Sequence, residues 1–263
     1  MLSVTSRDGT EIALDISGEG PPVIFVGGAL ADRSAGAPLA AVLARNFTVF
    51  NYDRRGRGDS GDTPPYAVER EVEDIAALIA EAGGAAFLFG GSSGAVLALD
   101  AVASGLAVTR LALYEPPFIV DHSSPPVPGN MVEVLTALVA AGRRGDAVEQ
   151  YLTKALGVPP AVVATMRDSP FWAQWEATAH TLVYDFTIMA GTVSGQPLPA
   201  GRWAAISVPT LVMDGGASPA QMHSGAQALA DLLPTAERRT LPGQTHDVDV
   251  DVLTGVLTEF FSG

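Results

Sequence analysis

Short strand-like runs alternate with amphipathic stretches along most of the chain. Six runs, most of them apolar, have the length of strands, at residues 22–26, 47–52, 85–89, 110–114, 208–213 and 237–241. Between them, apolar residues recur at helical spacing at 38–44, 68–83 and 219–233. Two further strands flank Asp8-Gly9, a dipeptide typical of a tight hairpin. This pattern predicts an α/β fold, with a doubly wound, mostly parallel sheet that opens with antiparallel strands.

The alternation of strands and helices stops between residues 116 and 206. A proline-rich stretch marks the entry to this segment, and a stretch rich in glycine and proline at 195–201 marks its exit. Helical patterns lie between them, at residues 131–141, 146–156, 160–167 and 170–189. We therefore predict a core of residues 1–116 and 206–263, and a helical cap of residues 117–205 inserted after the sixth strand.

Composition narrows the possible partners. The chain has 263 residues, a net charge of −14 and no cysteine. The negative charge repels phosphate backbones, and the small cluster Arg54-Arg55-Gly56-Arg57 does not reverse this, so nucleic acid is not expected as a partner. No signal peptide or membrane span is visible, so we expect a cytoplasmic protein that does not bind membranes. Neither thiolate ligands nor metal-ligand spacing of histidines occurs, and no metal or cofactor is expected.

The junction of the fifth strand with the next helix carries the strongest chemical signal. An apolar strand passes into an apolar helix through Gly90-Gly91-Ser92-Ser93-Gly94. A G-x-S-x-G turn between strand and helix is a nucleophile elbow, which holds its serine clear of the backbone and tolerates only small neighbours. The sequence therefore predicts that Ser92 is a nucleophile.

A second motif extends the resemblance to a family. Residues 52–60, Tyr-Asp-Arg-Arg-Gly-Arg-Gly-Asp-Ser, resemble the loop that follows the fourth strand in α/β-hydrolases, and the whole predicted core is similar to that family. Within this loop, Arg55 and Ser60 are interpreted as structural residues of a turn. The resemblance is to serine-nucleophile members of the esterase or lactonase kind that carry a helical cap.

The resemblance implies the partners of Ser92. A general base is expected after the last strand, where His246 lies in 241–247. The backbone amides that hold the oxyanion are expected at Ser93, directly after the nucleophile, and at Ala29, just beyond the third strand. Gly28 or Leu30 are alternatives to Ala29. The neighbouring Gly27 stands where most relatives carry histidine, although donation by a backbone amide needs no particular side chain.

The carboxylate that should orient the histidine departs from the family pattern. Most relatives place an aspartate where this chain has Ser218. Two carboxylates could replace it: Glu115, directly after the sixth strand, and Asp214, at the end of the seventh. Some relatives carry the acid after the sixth strand, including dehalogenases, but those use an aspartate nucleophile, so Ser92 argues against dehalogenation. We predict Glu115 as the acid, with Asp214 as the alternative, because an Asp-Gly pair is explained by turn formation alone.

The cap supplies the candidates for substrate contact. Trp172, Trp175 and Tyr184 belong to an aromatic stripe that is expected mainly to pack, with a minority of its members lining the pocket. The remaining histidines, His122, His180 and His223, are more typical of structural positions, with His180 kept as a candidate for the pocket wall.

Together these features predict a serine hydrolase that cleaves an ester or lactone of a small, largely apolar molecule through an acyl-enzyme. Two alternatives stay open. One is a cofactor-free lyase, perhydrolase or biosynthetic cyclase that uses the same pocket, and the other is an inactive relative that only binds a ligand. The sequence leaves the physiological substrate and the oligomeric state undetermined.

Overall fold

The structure, a computed structural model that describes residues 2–263, contains one eight-stranded sheet. The strands are β1 (Leu2–Thr5), β2 (Glu11–Ser17), β3 (Pro22–Val26), β4 (Thr48–Tyr52), β5 (Ala86–Gly91), β6 (Val108–Tyr114), β7 (Thr210–Gly215) and β8 (Ala236–Leu241). Their order across the sheet is β1-β2-β4-β3-β5-β6-β7-β8. The pairs β1–β2 and β2–β4 are antiparallel, and all others are parallel. The predicted α/β class, the opening hairpin and the mostly parallel sheet are confirmed.

Helices cover both faces of the sheet, as expected for parallel strands that are buried on two sides. These helices are α1 (Arg33–Leu43), α2 (Val68–Glu81), α3 (Ser93–Ala103), α9 (Ala220–Leu232) and α10 (Val250–Ser262). Leu43 of α1 and Leu257 of α10 pack in one apolar cluster, and Leu78 of α2 and Leu97 of α3 pack in the other. The order in which the strands are added to the sheet reverses at β3, which pairs with β4 on one side and β5 on the other. In open α/β sheets, such a switch point places a crevice at the carboxyl edge of the strands.

Five helices lie between β6 and β7. They are α4 (Met131–Ala140), α5 (Arg144–Gln150), α6 (Pro160–Met166), α7 (Trp172–Thr178) and α8 (Leu182–Ile188). The residue pattern at 170–189 predicted one helix, but the structure interrupts it with a 3₁₀ turn at Ala179–Thr181. A π-helical turn at Tyr151–Ala155 continues α5. The division into core and cap at residues 117 and 205 stays a prediction.

Buried polar contacts fasten the chain where it returns from these helices to the sheet. Trp203 is fully buried and donates its indole N–H to Asp100 of α3 at 2.9 Å. Arg202 bonds both carboxylate oxygens of the same residue, at 2.9 and 2.6 Å. The inserted helices are therefore tied to α3, the helix that follows Ser92. Within residues 2–263, no helix has the length and apolar character needed to cross a membrane.

Candidate active site

Ser92 lies at the sharp turn between β5 and α3, with φ of 54°. A positive φ is strained for a residue with a Cβ, so packing around the turn must enforce it. The flanking glycines show how tight that packing is. A Cβ on Gly90 would lie 2.7 Å from Ala95 Cα, and one on Gly94 would lie 2.3 Å from the carbonyl oxygen of Val26. The small residues of the G-x-S-x-G motif are thus required by contact.

Strained backbone is concentrated around this turn. Among residues 2–263, the non-glycine residues with positive φ are Leu30, Ser92 and Glu115, at 57°, 54° and 45°. They follow β3, β5 and β6, three neighbouring strands of the sheet. Such residues cluster at functional sites because surrounding structure has to hold them in place.

Glu115 and His246 form a hydrogen-bonded pair at the carboxyl edge. His246 Nδ1 lies 2.7 Å from Glu115 Oε2, and the other carboxylate oxygen accepts the Gly215 amide at 2.8 Å. The Glu115 side chain is fully buried, whereas that of His246 is 50% exposed. The structure therefore brings together the predicted acid and the predicted base, and leaves the other ring nitrogen of His246 available.

The surroundings of Glu115 favour its ionised form. Burial by itself raises the pKa of this carboxyl, but the His246 ring, the nearby Ser218 hydroxyl and the Gly215 amide lower it by more, so the pKa lies below its ordinary value. Ser218, which occupies the usual place of the family acid, is buried. A carboxylate after β6 thus faces a small hydroxyl after β7.

The alternative acid, Asp214, is engaged elsewhere. Its two oxygens accept bonds from Arg238 at 2.8 and 3.0 Å, and one of them lies 2.5 Å from Nδ1 of His223. Thr240 adds contacts at 3.1 and 3.2 Å. Asp214 makes no hydrogen bond with His246 in the described chain. Across residues 2–263, no group of three or more potential metal ligands converges.

The predicted oxyanion donors have free amides. Within residues 2–263, the N–H groups of Ala29 and Ser93 donate to no protein acceptor. Ser93 is the first residue of α3, where backbone N–H groups lack partners in the helix and the helix dipole favours negative charge. The backbone of Gly28 also approaches the nucleophile, because a Cβ at this position would lie 3.0 Å from Ser92 Cβ.

Ser92, Ala29 and His246 line one cavity of about 630 Å³. Ser92 Oγ and His246 are not hydrogen-bonded to each other in the described structure, and catalytic hydrogen bonds are often long before substrate binds. The wall is mainly apolar. Representative lining residues are Phe25, Leu39 and Phe89 from the core, with Leu152, Leu156, Val158, Met166 and Trp175 from the inserted helices.

The four residues predicted to contact substrate are divided between the cavity and the packed interior. Trp175 lines the cavity, whereas the other three lie outside it. Trp172 is buried against Arg167 and donates its indole N–H to Glu176 at 2.9 Å. Tyr184 stacks on Tyr66 with ring centroids 3.8 Å apart. His180 lies 3.7 Å from Asp62, and burial lowers its pKa.

Sequence reasoning missed a cluster of buried charges. Arg54 and Arg57 follow β4, and both bond to Asp185 of α8, at 2.9 and 2.8 Å. Arg54 also binds Glu71 through two contacts of 2.7 and 2.8 Å. The signal was present, because three arginines within four residues are unusual in a chain of net charge −14. Arg55 and Ser60, interpreted as structural, contact Asp74 and the Asp53 carbonyl.

This fold and site define a member of the α/β-hydrolases. The model of the alpha/beta hydrolase family matches residues 23–252, and the chain belongs to that family. It is similar to the crystal structure of an alpha/beta hydrolase from Sphaerobacter thermophilus DSM 20745, with 59% identity, a TM-score of 0.92, and coverage of 99% of this chain and 100% of the other.

Two further comparisons are more distant. An uncharacterized hydrolase, YraK of Bacillus subtilis, is 36% identical over 96 residues, and the match spans 35% of each protein. The enol-lactonase of Burkholderia xenovorans LB400 has the same fold, with 23% identity, a TM-score of 0.69, and 100% of both chains covered.

Proposed function

We propose that this hydrolase cleaves an ester or lactone of a small, largely apolar molecule by way of an acyl-enzyme. One observation carries the proposal: Ser92 stands on a strained elbow and shares a cavity with His246, whose ring is held by the buried Glu115. These are the nucleophile, base and orienting acid that acyl transfer requires.

In the proposed reaction, each of these groups carries out one step. Ser92 Oγ attacks the substrate carbonyl carbon while His246 accepts its proton, and the carbonyl oxygen becomes an oxyanion that the Ala29 and Ser93 amides bind. His246 then gives the proton to the departing alcohol oxygen. Water, deprotonated by the same ring, cleaves the acyl-enzyme and restores Ser92. The Glu115 carboxylate, which accepts from Nδ1, fixes the tautomer and stabilises the imidazolium.

The cavity wall indicates a neutral substrate. Besides tyrosines, the wall contains two charged or titratable residues, His246 and Asp247. Within residues 2–263, no lysine or arginine lines this cavity. A substrate carboxylate would therefore be desolvated without a cationic partner, which is unfavourable. The enol-lactonase of Burkholderia xenovorans shows that this fold accommodates lactone cleavage, which supports including lactones among the candidates.

The direct test is Ser92→Ala, assayed on p-nitrophenyl esters of graded acyl length and on lactones with and without a carboxylate. Alanine suits the elbow and removes the attacking oxygen, so turnover should fall to background while the melting temperature is kept. Ser104→Ala, at the far end of the same helix, is the matched control and should retain activity. Turnover by Ser92→Ala at the wild-type rate would refute the acyl-enzyme.

A further inference from the structure

Two arginines of the loop after β4 bind the backbone just beyond β3. Arg57 Nη1 donates to the carbonyl oxygen of Gly28 at 2.6 Å, and Arg54 Nη1 donates to that of Gly27 at 3.2 Å. Both guanidinium groups are buried, with side-chain exposures of 0% and 1%. Charged donors of this kind make strong hydrogen bonds in a water-free environment.

These bonds determine where the neighbouring amides point. The Gly28–Ala29 peptide is trans, since the only cis bond in the described chain is Pro64-Pro65. In a trans peptide, the C=O and N–H groups point in opposite directions. Arg57 draws the Gly28 carbonyl toward itself, so the Ala29 N–H faces away from Arg57. Gly28 and Ala29 line the cavity, and this amide has no acceptor within residues 2–263.

A single carboxylate of an inserted helix links the two arginines. Asp185 of α8 accepts from Arg54 through Oδ1 at 2.9 Å and from Arg57 through Oδ2 at 2.8 Å. The same Oδ1 accepts from the hydroxyl of Ser93 at 2.8 Å. Asp185 therefore contacts Ser93, whose amide is one predicted oxyanion donor. Through Arg57 it is also linked to the Gly28–Ala29 peptide, which carries the other donor.

The surroundings of Asp185 and Arg54 favour their charged forms. Burial alone would raise the pKa of Asp185, but Arg57 and Arg54 outweigh it and hold the pKa below its ordinary value. Burial alone would lower the pKa of Arg54, whereas Glu71 and Asp185 raise it well above its ordinary value. Asp185 and Arg54 therefore stay ionised at neutral pH, and the Asp185 carboxylate remains an acceptor for both arginines.

We propose that Asp185 and Arg57 are positioning residues for the oxyanion site: Asp185 holds Arg57, and Arg57 orients the Gly28–Ala29 peptide so that the Ala29 N–H faces Ser92. This inference rests on the proposed acyl transfer for its catalytic meaning. It makes the inserted helices contribute to transition-state stabilisation as well as to the cavity wall.

The expected effect is on turnover more than on binding. An oxyanion donor acts mainly in the transition state, and removal of one costs about 10²- to 10³-fold in kcat. A misoriented donor should lose part of that, so Arg57→Gln and Asp185→Asn should each lower kcat about 10- to 100-fold with little change in KM for p-nitrophenyl butyrate. Arg57→Lys, which keeps a cationic donor, should recover part of the loss.

Arg55 provides a matched control in the same loop. It is equally buried and binds Asp74 through contacts of 2.8 and 2.7 Å, but its other partners are Asp8 and the Arg70 carbonyl. Arg55→Gln and Asp74→Asn break a buried ion pair of the same kind without touching the oxyanion segment. They should lower the melting temperature as much as the test variants while keeping kcat within about twofold, the size of a small local perturbation.

Three measurements decide the outcome: kcat and KM, the rate at which a fluorophosphonate labels Ser92, and the Gly28–Ala29 peptide orientation in crystals of Arg57→Gln and Asp185→Asn. Slow labelling and low kcat in these two variants alone support the inference. Rate losses that follow melting temperature across all four variants overturn it. If the wild type is not labelled, the proposed function fails. The positioning role is then judged from the crystal structures of the two variants alone. A rotated Gly28–Ala29 peptide supports it, and an unchanged peptide overturns it.

Discussion

Two adjacent strands end in the same kind of pair, a buried carboxylate that contacts a histidine. Glu115 follows β6 and binds His246 at 2.7 Å, and Asp214 ends β7 and binds His223 at 2.5 Å. Both carboxylates are fully buried. Of these four residues, His246 alone lines the cavity of Ser92.

The two carboxylates differ in how neighbouring groups compensate their charge. Asp214 is paired with the Arg238 guanidinium through two bonds, so its charge is already compensated before the histidine is counted. Glu115 has neither arginine nor lysine among its hydrogen-bond partners in the described chain, and its second oxygen accepts a backbone amide. An uncompensated carboxylate stabilises an imidazolium more strongly. A contact with histidine is therefore insufficient to predict a catalytic acid. The other hydrogen-bond partners of the carboxylate have to be considered as well.

The largest predicted effect comes from exchanging each carboxyl for its amide. Glu115→Gln should lower kcat about 10⁴-fold, the order observed when a triad loses its acid, because neither the tautomer nor the imidazolium is supported. Asp214→Asn should keep kcat within about tenfold but lower stability by about 1–3 kcal/mol, since the partly buried Arg238 loses its charged acceptor. Steady-state kinetics and urea denaturation measure the two effects.

These two variants are each other's control. The opposite result, a severe kcat loss in Asp214→Asn with a mild one in Glu115→Gln, would assign the acid to β7. Equal losses in both would mean that the two pairs act together, and the contrast between them would fail.

A similar contrast, of smaller size, separates two tryptophans of α7. Trp172 is enclosed by Arg167 and Glu176, and Trp175 faces the cavity. Trp172→Ala should therefore cost about 3–5 kcal/mol of stability with little change in acyl preference. Trp175→Ala should enlarge the site and raise the relative kcat/KM for longer acyl chains about tenfold, near the 1–3 kcal/mol that one methylene contributes in an apolar pocket. Thermal melts and the ester series measure both, and an exchange of the two outcomes would contradict the cavity assignment.

The smallest expected effect is the pH dependence of stability at the Glu115 pair. The pKa of Glu115 is lower in the folded chain than its ordinary value, so its contribution is complete above the ordinary value and is lost as the pH falls through the folded pKa. The stability difference between the wild type and Glu115→Gln should be constant above about pH 5 and shrink in more acid solution. Denaturant midpoints from pH 3 to 7 test this, and a difference that grows on acidification would contradict it.

Most of the sheet could be predicted because each strand and its flanking helix carry a local signal. Glu115 could be proposed from its address at the end of an apolar run, because parallel strands place their carboxyl ends on one edge. The elbow required only neighbouring residues, Gly90 to Gly94. The break of the 170–189 helix could not be predicted, since the apolar spacing continues through the 3₁₀ turn and tertiary packing overrides it.

The buried charge cluster was inaccessible for a different reason. Asp185 is 131 residues from Arg54 and 128 from Arg57, and no local pattern relates positions at that distance. From the sequence alone, an aspartate within an apolar helix is interpreted as exposed, because its buried partners are not known.

The C-terminal helix α10 was not predicted either. The sequence did carry a signal for it, because Asp249 caps the helix through bonds to the Asp251 and Val252 amides.

The Asp185 contact also bears on how freely this chain could exchange parts with its relatives. Grafting a foreign set of helices between β6 and β7 would bring new walls to the cavity, but it would also leave the Arg57 guanidinium without its carboxylate unless the graft restored one at the same place. An uncompensated buried charge is costly enough to reject many such chimeras. An exchange of helices that changes the substrate range would thus also affect the stability of the core. A stable chimera would have to retain α8 or be combined with a redesigned loop after β4.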